Sequence, residues 1–200
     1  IEYLLSKHEL DLIISDDGLQ HLALERQIEW IVLDQNRGLG NQKLLPEGYL
    51  REPPSRLNTG TVIEHAAEPG SALNMHLEVA TPYLLNAVEG TPFNPADNFY
   101  AVVGIGFPQR FYKTLDSMGI YQFQGHEFPD HYDYEITDLQ FEDGNPIITT
   151  EKDAVKLLPL LKQNPDFKRE IWVVPVEAVL SPDCYEVLHQ QLQQLGIQIS

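Results

Sequence analysis

Cysteine occurs once in this sequence, at Cys184, which excludes an internal disulfide framework and a cysteine-rich metal site and fits the cytosol. Basic residues are scarce: thirteen Lys and Arg face thirty Asp and Glu, for a formal charge of −17. Such a surface repels nucleic-acid phosphates, and the basic residues form no patch large enough to reverse that, so nucleic acid is not an expected partner. No apolar run approaches the roughly 18 to 20 residues that span a bilayer. The opening residues 1–8 have neither a starting Met nor a basic n-region, so they are not expected to be a signal peptide. They read instead as the last turns of a helix that begins elsewhere, so a cut fragment is expected. Complete catalytic signatures are missing as well. There is no phosphate loop ending in Gly-Lys-Ser or Gly-Lys-Thr, no H-E-x-x-H and no G-x-S-x-G.

What is present is enough apolar material, 42% of 200 residues, for one large domain or two small ones. Strand-like runs fall at 10–16, 29–34, 61–64, 99–106 (a strand and its turn), 120–123, 147–150 and 171–176. Helical patterns fall at 1–8, at 108–118 before Gly119, and at 180–195, where Ser181 or Asp183 is available as a cap and Gly196 ends the element. Between 35 and 60 the breakers Gly38, Gly40, Pro46, Gly48, Pro53, Pro54 and Gly60 exclude one long element, leaving room for a short helix with Pro53 in its first turn. Alternating strands and helices predict an α/β fold. The expected organisation is a first domain over 1–66, a crossover over 67–97 and a second α/β domain over 98–200, whose last helix packs back on the first.

The run Leu12-Ile13-Ile14-Ser15-Asp16-Asp17-Gly18 reads as a buried parallel strand ending in two acids and a glycine. Ligands gather beyond the carboxyl ends of such strands, where carboxylates can hold a divalent metal or orient a hydroxyl. A plain Asp-Asp-Gly turn fits the same residues. His21 follows closely enough to face the same crevice, and equally suits a surface position. Arg37-Gly38-Leu39-Gly40-Asn41 and Gly104-Ile105-Gly106-Phe107-Pro108 both miss the spacing of a dinucleotide loop. Arg37 and Arg51 offer forked donors to phosphate oxygens, while Arg51-Glu52 also suits an ordinary ion pair. In Asp130-His131-Tyr132-Asp133-Tyr134, His131 is a candidate base whose tautomer a carboxylate can fix; His126 is another candidate. Glu151 and Asp153 suit a helix start, and Lys152 a phosphate or an interdomain bridge.

In order along the chain, several strings resemble the tetraacyldisaccharide 4′-kinase family of the lipid A pathway. They are Ile14-Ser15-Asp16-Asp17-Gly18-Leu19-Gln20-His21, the segment from Asp34 to Asn41, Leu44-Leu45-Pro46 and Leu50-Arg51-Glu52-Pro53. Further on come Gly104-Ile105-Gly106-Phe107-Pro108-Gln109-Arg110-Phe111, Phe128-Pro129-Asp130-His131 and Thr150-Glu151-Lys152-Asp153-Ala154-Val155-Lys156. The resemblance implies part of a P-loop-kinase-like parallel-sheet domain plus a smaller α/β domain. It implies transfer of the ATP γ-phosphate to the 4′-hydroxyl of a tetraacylated glucosamine disaccharide 1-phosphate, giving lipid IVA, with Mg²⁺, at the cytoplasmic face of the inner membrane. No obligate protein partner is implied.

By the same resemblance Asp16 and Asp17 stand in the acidic place near Mg²⁺–ATP, with Asp17 and Glu52 as metal residues. Arg51 and Glu52 handle phosphate and magnesium, His21, Arg37, Asn41 and Arg51 meet the substrate, and His131 supports a catalytic acid. The family's phosphate loop and hydroxyl-activating acid are expected to precede residue 1, so the 200 residues by themselves are expected to be inactive. Membrane contacts are expected from that same preceding segment, because the charge of −17 disfavours an anionic surface. Gln42 stands where the family commonly has a glycine, and Glu47 and Tyr49 alter its usual small-Gly-Pro setting before Leu50-Arg51-Glu52-Pro53. From the residues without the resemblance, a Mg²⁺-dependent phosphohydrolase and an acidic interaction domain stay open.

Overall fold

The computed structural model describes residues 1–65, 70–86 and 92–198. The chain divides into two compact units, one of residues 1–76 with 178–200 and one of residues 77–177.

The first unit opens with a single helical turn, α1 (Glu2–Leu5), and then runs without regular structure to β1 (Trp30–Asp34). A 3₁₀ turn over Pro54–Thr59 precedes β2 (Thr61–His65), followed by β3 (Asn74–Val79). Two late elements, β9 (Val176–Leu180) and α4 (Pro182–Gln194), return to this unit, and the sheet order is β1-β2-β3-β9. The boundary between the units falls inside β3 and β9. β1 and β2 run parallel, with Ile31 opposite Val62 and Val32 opposite Ile63. Gln191 of α4 clips both strands: it accepts from Trp30 Nε1 at 2.7 Å and donates to Thr61 Oγ1 at 2.8 Å. The buried core here is small, with Ile31, Ile63, Cys184 and Leu192 at its centre.

The strand expected over 10–16 is not formed. Ile13 and Ile14 are exposed, Ile14 by 86%. An isolated strand leaves its N–H and C=O groups without a ladder, and among the described residues none pairs with this run. The helix expected over 1–8 is correspondingly reduced to one turn, with no buried residue.

The second unit holds β4 (Tyr83–Leu84), β5 (Phe99–Val103), α2 (Pro108–Ser117), β6 (Phe123–Glu127), β7 (Ile147–Thr150), α3 (Glu151–Gln163) and β8 (Ile171–Val174). Its sheet order is β4-β8-β7-β5-β6, parallel throughout except for β4 at one edge. Strand side chains alternate between faces. Phe99, Ala101, Val103, Ile148, Trp172 and Val174 pack with Phe111 and Leu115 of α2. On the other face Val102, Ile147 and Ile171 pack with Leu157 of α3, Leu139 and Tyr134. Burial on both faces explains why β5, β7 and β8 read as continuous apolar runs.

The chain leaves β5 through α2 to reach β6 on one side, then crosses to β7 on the other. The carboxyl ends of β5 and β7 therefore flank a topological switch point, the place where open α/β sheets collect ligands.

Candidate functional site

In the first unit, Asp16 and Asp17 sit in a turn rather than at a strand end, and both are exposed. Asp17 has φ +49°, a left-handed backbone that Asp tolerates better than most residues. The following Gly18 lies against Ser15, whose hydroxyl would be 2.8 Å from an added Cβ. The turn is closed by the Gly18 carbonyl, which accepts from the His21 amide at 2.9 Å. His21 itself is exposed.

Glu52 is half-buried, and each of its oxygens has one partner. Its Oε1 accepts from Gln20 Nε2 at 3.2 Å, and its Oε2 lies 2.9 Å from Arg56 Nε. Arg51 is exposed beside it. Arg56 turns its other nitrogens to Glu29, at 2.7 and 2.8 Å, in a forked pair. Arg26 then joins Glu29 at 3.1 Å and donates to the Gly18 and His21 carbonyls at 2.6 and 3.2 Å. The Asp16–His21 turn and the Arg51-Glu52 pair are thus brought together by groups that sequence reasoning missed: Arg26, Glu29 and Arg56. The four-residue spacing from Glu52 to Arg56 was the one signal available for them.

The glycine loop after β1 organises itself. Asp34 Oδ1 accepts from the Asn36 and Arg37 amides at 3.0 and 3.3 Å. Gly38 and Gly40 take φ of +59° and +56°, and an added Cβ at Gly40 would lie 2.3 Å from the Tyr49 ring. The Tyr49 hydroxyl donates to the Arg37 and Gly38 carbonyls at 3.2 and 2.8 Å, and the Arg37 guanidinium lies 5.1 Å from the centre of the same ring. Tyr49 is the residue on which this loop folds. Asn41 spends both ends of its amide locally, donating to the Glu47 carbonyl at 2.9 Å and accepting from the Lys43 amide at 3.1 Å.

In the second unit, the switch point is lined by Gly104-Ile105-Gly106 after β5 and Thr150-Glu151-Lys152-Asp153 after β7. Asp153 is fully buried, which the sequence reading as a helix-start acid did not foresee. Its oxygens accept from Tyr134 Oη at 3.0 Å and Thr150 Oγ1 at 2.8 Å, and Lys156 Nζ lies 3.9 Å away. The Thr150 hydroxyl also accepts from the Asp153 amide, capping α3. Burial and the neighbouring Asp153 carboxylate push the Tyr134 phenol up. Gly104 is required by this packing: a Cβ there would sit 2.7 Å from the Tyr134 hydroxyl.

His131 stands exposed in the turn after β6, with φ +62°. Its amide donates to Asp130 Oδ1 at 3.1 Å, and its Nε2 lies 3.8 Å from Asp130 Oδ2. Asp130 also pairs with Lys152 Nζ at 2.7 Å. That bond is the largest influence holding the Asp130 carboxyl below its ordinary range; desolvation opposes it, and the charge of Lys152 and the neighbouring His131 add to it. His126 lies apart, against the Tyr100 and Phe141 rings, and burial pushes its imidazole down.

Among the described residues no group of three or more His, Cys, Asp or Glu side chains comes together as a metal cage. Mg²⁺ does not demand one, since it is commonly held by one or two carboxylates with phosphate oxygens and water. Exposed Asp16 and Asp17, together with Glu52, are oxygen donors of that kind, so the residues fit such an ion. Among the described residues no helix is long and apolar enough to cross a membrane.

Comparison with known proteins agrees along the length of the chain. The relative from Psychrobacter arcticus, a tetraacyldisaccharide 4′-kinase, is 41% identical, with 98% of this chain and 62% of that protein covered. The namesake from Psychrobacter cryohalolentis is 43% identical over 96% of this chain and 60% of its own. The chain thus spans about three-fifths of the length of these relatives. Among solved structures, an "apo"-form crystal structure of LpxK from Aquifex aeolicus in complex with ATP superposes with a TM-score of 0.69 at 25% identity. That likeness covers 97% of this chain and 60% of the other. The pattern described as Tetraacyldisaccharide-1-P 4′-kinase matches residues 1–193, and the chain belongs to that family.

Proposed function

We propose that this chain is the part of a lipid-sugar kinase that completes its nucleotide and magnesium edge and supplies a histidine to the acceptor side. The whole protein transfers the γ-phosphate of ATP to the 4′-hydroxyl of a tetraacylated glucosamine disaccharide 1-phosphate, at the cytoplasmic face of the inner membrane. The observation that carries the reading is the family match over residues 1–193. ATP use is supported by the ATP in the Aquifex aeolicus structure.

Phosphoryl transfer asks the protein mainly for alignment and charge compensation. When bound, Mg²⁺–ATP supplies the phosphoryl group and neutralises charge on its oxygens. Asp17 and Glu52 would hold the ion, directly or through water, with Asp16 beside them at the nucleotide. Arg51 offers a forked donor to phosphate oxygens. His131, exposed and beside Asp130, is suited to support the carboxylate that takes the acceptor's proton. His21, Arg37 and Asn41 stand on the loops that meet the acyl-sugar. The first unit is then the remaining part of the nucleotide domain, and the second is the smaller α/β domain.

The test uses a protein of the relatives' full length that carries this chain. It is given labelled ATP, Mg²⁺ and the disaccharide 1-phosphate in detergent micelles. Labelled 4′-phosphorylated product is expected, and its loss on adding a chelator. Release of free phosphate without transfer to sugar would replace the kinase reading with a phosphohydrolase.

A further inference from the structure

The Asp16–His21 turn has no strand or helix to hold it, yet it carries the acids assigned above. What holds it is a closed ring of contacts. From the Gly18 and His21 carbonyls the ring passes to Arg26, then to Glu29, Arg56 and Glu52, and returns to the turn at Gln20. The intermediate members are well shielded, with Glu29 12% and Arg56 20% exposed. Thr59, at the end of the 3₁₀ turn that carries Arg56, donates to Glu29 Oε2 at 3.2 Å and accepts from Arg56.

We propose that Arg56 is a positioning residue for the magnesium–nucleotide edge, acting through Glu52 with Glu29 as its anchor. This rests on the reading of Asp16, Asp17 and Glu52 given above. One guanidinium serves two acids in different ways. Its Nε fixes one oxygen of Glu52, while its two terminal nitrogens grip Glu29. A carboxylate has about four acceptor positions. Glu52 therefore keeps lone pairs for a cation while its direction is set by Arg56 and Gln20. The planar fork that does this is available to Arg and not to Lys. Without it, Glu29 and Glu52 lose their shared cation, and the turn bearing Asp16 and Asp17 is tied to Glu52 by Gln20 only.

The test again uses a full-length protein carrying this chain, with Arg56→Gln, Arg56→Lys and Glu29→Gln. Glu29→Gln cuts the anchor without touching Glu52. Three readouts are taken: Mn²⁺ binding in the presence of a non-hydrolysable ATP analogue, from the electron paramagnetic resonance of free Mn²⁺; kcat and KM for Mg²⁺–ATP; and the melting temperature. Outer partners of metal-holding groups typically matter by a factor of ten or more. Arg56→Gln is expected to weaken Mn²⁺ binding roughly tenfold and to raise KM by more than it lowers kcat. Arg56→Lys is expected to recover part of the loss, and Glu29→Gln to weaken binding in the same direction. A brace that only stabilises the fold would lower the melting temperature and leave Mn²⁺ binding of the folded protein unchanged, which overturns the proposal. If Arg56→Gln does not fold, the other two variants decide it in the same way. A parent protein that binds no Mn²⁺ with the analogue overturns the magnesium-edge reading and this proposal together. A binding parent with unaltered variants overturns only the role of Arg56.

Discussion

Asp153 illustrates how one residue links local structure to the switch point. It stands in the first turn of α3, where an acid is favourable on electrostatic grounds and ordinarily exposed. Here it is fully buried, and it is satisfied by the Tyr134 and Thr150 hydroxyls with Lys156 nearby. Removing the carboxylate leaves the Tyr134 hydroxyl without its acceptor and the partly buried Lys156 ammonium without its nearest charge. Asp153→Ala is therefore expected to destabilise the protein by about 2 kcal/mol or more. Tyr134→Phe, which deletes one donor and keeps the ring, is expected to cost about 1 kcal/mol. Equilibrium urea unfolding of both variants checks the order. Equal losses would mean that the Tyr134–Asp153 hydrogen bond accounts for the whole contribution of the carboxylate. The Thr-Glu-Lys-Asp string showed the helix start from sequence. The burial of its last member depends on Tyr134, nineteen residues earlier, and local pattern carries no such information.

At the scale of elements, β6 shows a different balance. It is an edge strand of the second unit's sheet, and His126 points into the aromatic layer of Tyr100 and Phe141. Its Nε2 is buried with no hydrogen-bond partner, and burial holds the imidazole below its ordinary value. The unfolded chain takes up this proton near pH ~6.5, while the folded chain resists it. The unfolded state then binds more protons, so stability falls as the pH drops through ~6.5 toward the lowered folded value and levels off below it. Denaturant melts at about pH 7.5 and about pH 5.5 should show this loss, and His126→Phe should shrink it. An undiminished loss in the variant would assign the effect to another group.

β6 also marks where sequence reading slipped, since a strand was expected over 120–123 and forms over Phe123–Glu127. Ile120 is fully buried but serves the core under α2 instead of the ladder. Strands buried on both faces, such as β5, β7 and β8, and the helix α2 with its local breakers were legible. So were Gly119 and Gly196, both at φ +79° just past their helices. β3 and β4 were not, because they are short, half-exposed and embedded in the Pro- and Gly-punctuated stretch read as a crossover. The run over 10–16 had the right composition for a strand, but composition does not supply a neighbour. The candidate site divides in the same way. Its acids could be picked out as motifs, while the arginines that join them required the fold.

Across the whole molecule, the two units are built on unequal terms. The second is one continuous segment, 77–177, with apolar layers on both faces of its sheet. The first is discontinuous, and it needs residues 178–200 to complete it. Gln191 clips Trp30 to Thr61, and Ser181 Oγ accepts from the Asn74 amide at 3.3 Å and donates to the Ala72 carbonyl at 2.7 Å. The excised segment 77–177 is therefore expected to fold with a cooperative thermal transition, and segment 1–76 by itself is not. Hydrogen exchange in the 200-residue chain should rank the same way, because protection follows buried, paired backbone. The amides of Val102, Ile148 and Val173 should be the slowest, and those of residues 8–15 should exchange at rates near those of an unfolded chain. In a protein of the relatives' full length, strong protection over 8–15 would show that this apolar run gains a sheet partner from the rest of that protein. Equal exposure in both proteins would mean that the Asp16–His21 turn depends on the Arg26–Glu29–Arg56 ring for its order even in the longer protein.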